Sequence, residues 1–281
     1  MADAGFAPAK VNLTLHVTGR RDDGYHLLDS LVVFADIGDL LEVFPSDRPS
    51  LRVSGPMAKG VPVDDSNLVL RAAQAMGLSD IGFHLQKHLP AAAGIGGGSS
   101  DAAAALRLLA EVSGAPLPAD RGLSLGADVP VCLAAEPARM SGIGERVDPL
   151  PPLPPFGMVL ANPGVSVPTG AVFAALSSRD NAPMPADLPN WPDARAFARW
   201  LGEQRNDMEG PARGIAPAIG VTLSRLGATD GCLLARMSGS GATCFALYET
   251  LTEAEAAASV LADLHPDWWI AAAAPYSASA A

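Results

Sequence analysis

The sequence predicts an α+β protein built as two units, and three observations carry that prediction. Strand-like and helix-like segments mix without a strict βαβ rhythm, which argues against a doubly wound sheet. A glycine-rich stretch, Gly94-Ile95-Gly96-Gly97-Gly98-Ser99-Ser100, runs directly into an alanine-rich helix. Five prolines fall within Pro149-Leu150-Pro151-Pro152-Leu153-Pro154-Pro155, a stiff extended spacer dividing residues 1–150 from 151–281.

The elements follow in order. Lys10 to Val17 alternates, with Val11, Leu13, Leu15 and Val17 on one face and Lys10, Asn12, Thr14 and His16 on the other, so it reads as a half-buried strand. Gly19 to Gly24 is a turn by composition, His26 to Phe34 a second strand, and Leu40 to Phe44 and Leu51 to Val53 two short ones. Asn67 to Met76 reads as a helix capped by Asp65 or Ser66, and Ile81 to Gln86 as a strand ended by Leu89-Pro90. The glycines then form a loop, because glycine inside a helix or strand costs conformational entropy. The run from Ala102 to Ala110 is strongly helix-forming, with Ser99 or Ser100 expected as its N-cap. Past the proline spacer come a strand at Phe156 to Ala161 and helices at Thr169 to Leu176, Asp193 to Gln204 and Ile215 to Leu226. Strands at Gly231 to Met237 and Ala242 to Tyr248 flank Ser238-Gly239-Ser240-Gly241; a helix at Thr252 to Asp263 and a strand at Trp268 to Ala274 complete the chain.

Composition narrows the function. Of 281 residues 49% are hydrophobic, enough for sizeable cores, and a net charge of −11 speaks against nucleic acid or an anionic membrane as partner. Cys132, Cys232 and Cys244 are odd in number and widely spaced, as reduced core thiols are. The sequence opens on no charged segment followed by an apolar one, and no apolar run reaches membrane-spanning length. A soluble cytoplasmic protein, monomer or homodimer, is expected.

The chemistry centres on the glycine loop. Bare amides at the positive end of a helix make a site for phosphate oxygens. It is not a Walker loop, since Ser99 rather than Lys follows Gly98, and G-x-G-x-x-G fails at Ser99. Lys10 is either a cation aimed at a transferring phosphoryl group or an ordinary surface lysine. Asp128, two residues before Pro130, is an N-cap, a catalytic carboxylate, or both. Tyr25-His26, just after a turn, can stack on a base and bond its edge, or serve structure alone. Ser238-Gly239-Ser240-Gly241 needs no function beyond linking two strands.

Together these stretches resemble the GHMP small-molecule kinases. The matching segments are Pro8 to Leu13 with Gly19 to His26, Leu89 to Ala103, Leu125 to Pro130, and Arg236 to Ala242, in the family's order across nearly the whole chain. The resemblance implies a two-domain GHMP kinase fold, with an N-terminal domain like ribosomal protein S5 domain 2, a ferredoxin-like C-terminal domain and the active site in the cleft between them. It implies ATP and Mg²⁺, with a cytidylated sugar alcohol as acceptor. Lys10 and Asp128 would be the catalytic pair. Residues Pro90, Ala91, Ala92, Ala93, Gly94, Ile95, Gly96, Gly97, Gly98, Ser99 and Ser100 would hold ATP, with Ser99 or Ser100 helping to bind the metal. Asn12, Tyr25 and His26 would hold the acceptor, Tyr25 against the cytosine and His26 on its edge, with Phe173 over the other face. The segment before Asp128 is shorter than is usual for the family, and Asp101 stands where several relatives carry Asn. Homoserine and mevalonate kinases of the same family, and a non-catalytic ATP sensor, remain alternatives; Tyr25-His26 speaks against the first two and retention of Lys10 and Asp128 against the third.

Overall fold

The computed structural model describes residues 3–91 and 93–278. The chain begins with β1 (Asp3–Asn12), β2 (His16–Arg20), β3 (His26–Pro45) and β4 (Ser50–Ser54), then α1 (Leu68–Ala75), β5 (Ile81–Gln86), α2 (Gly97–Ser113) and α3 (Val129–Ala134). There follow β6 (Ala138–Gly142), β7 (Arg146–Pro149), β8 (Gly157–Asn162), α4 (Thr169–Ala174), α5 (Ala194–Gly202), α6 (Glu209–Ile215) and α7 (Ala218–Gly227). The last elements are β9 (Leu234–Met237), β10 (Cys244–Tyr248), α8 (Leu251–Leu264), β11 (Trp269–Ala273) and β12 (Pro275–Tyr276). Among the described residues the strands form an eight-stranded sheet and a four-stranded sheet in the order β11-β8-β10-β9. The α+β character is as expected.

The spine of the larger sheet is β3, which pairs with β1, β2, β5, β6 and β12. Two short strands were expected there, at His26 to Phe34 and Leu40 to Phe44, and they are one. A bulge between Pro8 and Ala9 of β1 absorbs the extra residues of β3, and Gly38 permits the close crossing: a Cβ there would stand 2.3 Å from the Ala7 carbonyl oxygen. The expected Lys10 to Val17 strand is instead split between β1 and β2, and its polar face is as buried as its apolar one. Alternation reports the pleat; the second half of the chain decides that both faces are dry. Thr14 Oγ1 accepts from Leu31 N at 2.8 Å, and His16 Nδ1 lies 3.1 Å from the Ala182 carbonyl, so these two buried polar groups keep partners.

Helix termini depart from expectation in three places. Asn67, not Asp65 or Ser66, caps α1, its side chain accepting from Val69 N. Gly96, left-handed at φ 63°, rather than a serine, caps α2, so two glycines lie inside the first helical turn. The helix expected from Ile215 to Leu226 is α7 and starts later, at Ala218 just after Pro217, while a helix the sequence did not suggest, α6, ends at Ile215; proline starts a helix better than it continues one. A core under the larger sheet joins α1 and α2 to β3 and β5; a second lies between α6, α7, α8 and the smaller sheet. A third, with Val11, Leu31, Ile95, Phe197 and Phe245, spans both sheets. The cysteines are free, Cys132 and Cys244 buried and Cys232 half-buried. No helix among the described residues is long and apolar enough to cross a membrane.

Candidate active site

The glycine loop is turned so that its carbonyls point into the protein. Ala93 O accepts from Thr243 N at 3.0 Å, Gly94 O from Ser238 Oγ at 2.9 Å, and Ile95 O from Lys10 N at 3.0 Å. The first intrahelical bond of α2 runs from Ser100 N to Gly96 O, which leaves the amides of Gly97, Gly98 and Ser99 without partners inside the helix. Those three amides, at the positive end of the helix, are an arrangement that suits an anion. The loop tolerates no side chain where it meets the β9–β10 connection. Gly94 is left-handed, and a Cβ on it would stand 2.6 Å from Ser238 O, while one on Gly239 would stand 2.9 Å from Gly94 O.

Lys10 and Asp128, 118 residues apart in the chain, meet at 2.7 Å between Nζ and Oδ2. The lysine side chain is 4% exposed and the aspartate 32%, so the pair is fixed from the ammonium side and open from the carboxylate side. Lys10 passes directly behind Gly96, whose built Cβ would lie 3.1 Å from its Cβ. Asp128 holds the N-cap position of α3, but among the described residues its carboxylate makes no capping bond. Asp128 is thus the N-cap by position, while its carboxylate is given to Lys10 rather than to the helix amides. The short segment before it is held by turns, with Asp120 accepting from Gly122 N and Ser124 N.

Lys10, Asp128 and residues Gly96 to Ser99 line one cavity of about 630 Å³. Asn12 lines it too: its amide N donates to Ser238 Oγ and its Nδ2 to Ser30 Oγ, while its buried Oδ1 has no hydrogen-bond partner among the described residues. A smaller recess of about 430 Å³, lined by Tyr25 and His26, shares Leu28, Ala127 and Phe173 with that cavity. The His26 and Phe173 rings lie on each other, centroids 4.2 Å apart and planes 9° apart, and Tyr25 is 58% exposed beside them. Burial first, then Arg20 and Arg179, holds His26 below the ordinary histidine value, so its ring is neutral near pH 7. Its Nε2 is buried without a partner among the described residues, a free hydrogen-bonding group at the recess.

Other expected site residues lie elsewhere. Ser100 is fully buried and its Oγ donates to Pro8 O at 2.7 Å, so its hydroxyl is not available to a metal; Ser99 keeps its place on the cavity wall. The Ile95 side chain is in the core that spans both sheets, while Pro90 and Ala91 are off the cavity wall and Ala92 lies outside the described residues. The Ser238 to Gly241 connection does more than join strands, since Ser238 also bonds Asn12 and Gly94, and Ser240 Oγ lies 2.8 Å from Thr169 Oγ1.

Sequence reading missed a buried group behind the loop. Lys87 Nζ donates to Asp39 Oδ2 and, at 2.9 Å, to Asp101 Oδ2, while Asp39 Oδ1 accepts from the amides of His88 and Leu89 at 2.6 and 2.9 Å. Burial pushes Asp101 up to about 7; Lys87 pulls it down and Asp39 pushes it up. The available signal was a charged residue inside otherwise apolar stretches, as at Asp39 before Leu40-Leu41.

A lysine on β1, a glycine turn with unpaired helix amides leading into α2 and an aspartate at the start of α3 define a class. Residues 67–136 match the GHMP kinases N terminal domain and residues 187–267 the GHMP kinases C terminal domain. The chain belongs to the GHMP kinase family. Among its relatives, 4-diphosphocytidyl-2-C-methyl-D-erythritol kinase of Dinoroseobacter shibae is 61% identical over 268 residues, covering 95% of this chain and 93% of that protein. The protein of the same name from Cereibacter sphaeroides is 58% identical over 267 residues, covering 94% of this chain and 96% of its own length. A crystal structure of 4-(cytidine 5'-diphospho)-2C-methyl-D-erythritol kinase matches with a TM-score of 0.76 at 35% identity, over 97% of this chain and 99% of the other. Homoserine kinase from Cytophaga hutchinsonii shares the fold, with a TM-score of 0.67 at 17% identity.

Proposed function

We propose that this protein transfers the γ-phosphoryl group of ATP to the 2-hydroxyl of 4-diphosphocytidyl-2-C-methyl-D-erythritol, a step in making isoprenoid precursors. The observation that carries the reading is one cavity in which the Lys10–Asp128 pair faces the free amides of Gly97 to Ser99, opening onto the Tyr25–His26–Phe173 recess. The relatives named above support the choice of acceptor. On this reading residues 1–150 carry the nucleotide loop and the catalytic pair, and residues 151–281 close the cleft through Phe173 and the Ser238 to Gly241 connection.

Phosphoryl transfer asks the protein for position and charge stabilisation. The α2 amides hold the nucleotide phosphates, and the half-open face of Asp128 takes the proton of the acceptor hydroxyl. Lys10 holds the carboxylate in place and offsets negative charge where the phosphoryl group passes. Asn12 Oδ1 and the neutral His26 offer hydrogen bonds to the acceptor, and Tyr25 and Phe173 offer ring faces to its base. Among the described residues no group of three or more His, Cys, Asp or Glu could hold a metal ion. Mg²⁺ suits such a site nonetheless, because it takes few protein ligands and completes its shell with phosphate and water oxygens. The Ser99 hydroxyl, on the cavity wall, is the residue that fits it, and the ion would neutralise phosphate charge there.

The test is ADP release with each of three acceptors: the cytidylated methylerythritol, homoserine and mevalonate. Turnover with the first alone is expected. Turnover with either of the others at a comparable kcat/KM, or nucleotide binding without ADP release, overturns the assignment.

A further inference from the structure

The buried charges behind the glycine loop have no part in the chemistry above. Asp39, on β3, grips the backbone where the chain leaves β5, through the amides of His88 and Leu89. Lys87 ties the same carboxylate to Asp101, the fifth residue of α2. The loop from Pro90 to Gly96 is what lies between those two anchor points. A Cβ built on Gly97 would stand 3.4 Å from Lys87 Nζ and 4.0 Å from Asp39 Oδ2, so the ammonium sits directly behind the first helical residue. None of the three side chains reaches the cavity wall, and all three are buried.

We propose that Asp39, Lys87 and Asp101 are positioning residues for the nucleotide: together they clamp the entry and exit of the glycine loop to the sheet and so fix the spacing of the Gly97 to Ser99 amides. The inference rests on the kinase reading above. Stability alone is a weak rationale for such a group, because replacing buried ion pairs with well-packed apolar residues is often neutral or stabilising. Lys87 is not a direct phosphate ligand, since its ammonium faces two carboxylates and lies off the cavity. What the triad controls is geometry. A loop released at one end still binds the acceptor, whose contacts come from β1, the β2–β3 turn and α4, but presents its amides to phosphate less well.

The experiment compares Asp101→Ala, Asp101→Asn and Lys87→Met with the unaltered protein. It measures KM for ATP, KM for the acceptor and kcat separately, with ADP affinity by calorimetry and folding by thermal melting. Asp101→Ala should raise the KM for ATP and the ADP dissociation constant about tenfold or more, since misplacement of a binding group by an ångström is costly. The acceptor KM should stay within about twofold, the signature of lost nucleotide binding rather than a lost fold. Asp101→Asn, which keeps an oxygen for Lys87, should recover most of the nucleotide affinity. Lys87→Met should behave as Asp101→Ala does; if it does not fold, the two Asp101 variants decide. Unchanged ADP affinity in Asp101→Ala, or parallel loss for both substrates, overturns the triad's role. Absence of ADP binding by the unaltered protein overturns the kinase reading instead.

Discussion

Asp128 and His16 show how much turns on single side chains. The Asp128 carboxylate bonds Lys10 on one side and is open to the cavity on the other, so an amide in its place keeps the shape and loses the charge on which the proposed proton transfer rests. Asp128→Asn should lower kcat by about two orders of magnitude or more while leaving ATP affinity nearly unchanged, as steady-state rates and nucleotide titration would reveal. A near-normal kcat would remove Asp128 from proton transfer. His16 is buried under the second half of the chain, and burial first, with Arg205 adding to it, holds its ring below the ordinary value of 6.5. The unfolded chain therefore binds a proton that the folded one refuses. The resulting stability is present above about pH 6.5 and is lost as pH falls below it. Thermal melting from pH 8 to pH 5 should show a steeper acid loss for the unaltered protein than for His16→Gln; identical slopes would assign the acid sensitivity elsewhere.

At the scale of elements, the glycine loop is defined by what its neighbours leave no room for. Gly94 sits at φ 74° with the Ser238 carbonyl oxygen of the β9–β10 connection 2.6 Å from where a Cβ would stand. Gly94→Ala adds a methyl where there is no space, in a backbone region costing an L-residue about 1–2 kcal/mol before any clash. It should lower the melting temperature and weaken ADP binding together, because the displaced turn leads into the α2 amides proposed to hold phosphate. Loss of stability with full ADP affinity would contradict that coupling.

The loop, the alanine helix and the β9–β10 hairpin were legible because their signals are local: glycine runs, helix formers, short turns. The α2 cap was misread because a left-handed Gly96 leaves no side-chain signature. The continuity of β3 was hidden by its own bulged stretch, where Asp36 and Ile37 have no partners on β1 and Gly38 follows, a sequence that looks like a break between two strands.

At the scale of the molecule, the site is assembled from contacts that no local pattern encodes. Lys10 to Asp128 spans 118 residues and Asn12 to Ser238 spans 226. Their identities could be picked out by residue type and resemblance; their adjacency could not. The polar stripe Lys10, Asn12, Thr14 and His16 is the clearest case. It looked like a wet strand face and is buried, because Arg205, Ala182 and Ser238, all from distant segments, come down on it; Lys10 and Asn12 alone of the four line the cavity. The Lys87 triad escaped for the same reason, its carboxylates lying 48 and 14 positions from the lysine.

The strand at Pro275–Tyr276 returns to the larger sheet after the smaller one is complete, pairing with Ala35 and Phe34 of β3. The polypeptide is thereby fastened across its two halves by the proline spacer going out and by this strand coming back. With the shared core between them, such a double tether leaves little freedom for a wide hinge. On the function proposed above, access to the cavity then falls to local side chains such as Phe173, which lies on His26 where the two recesses meet, rather than to one half swinging away from the other.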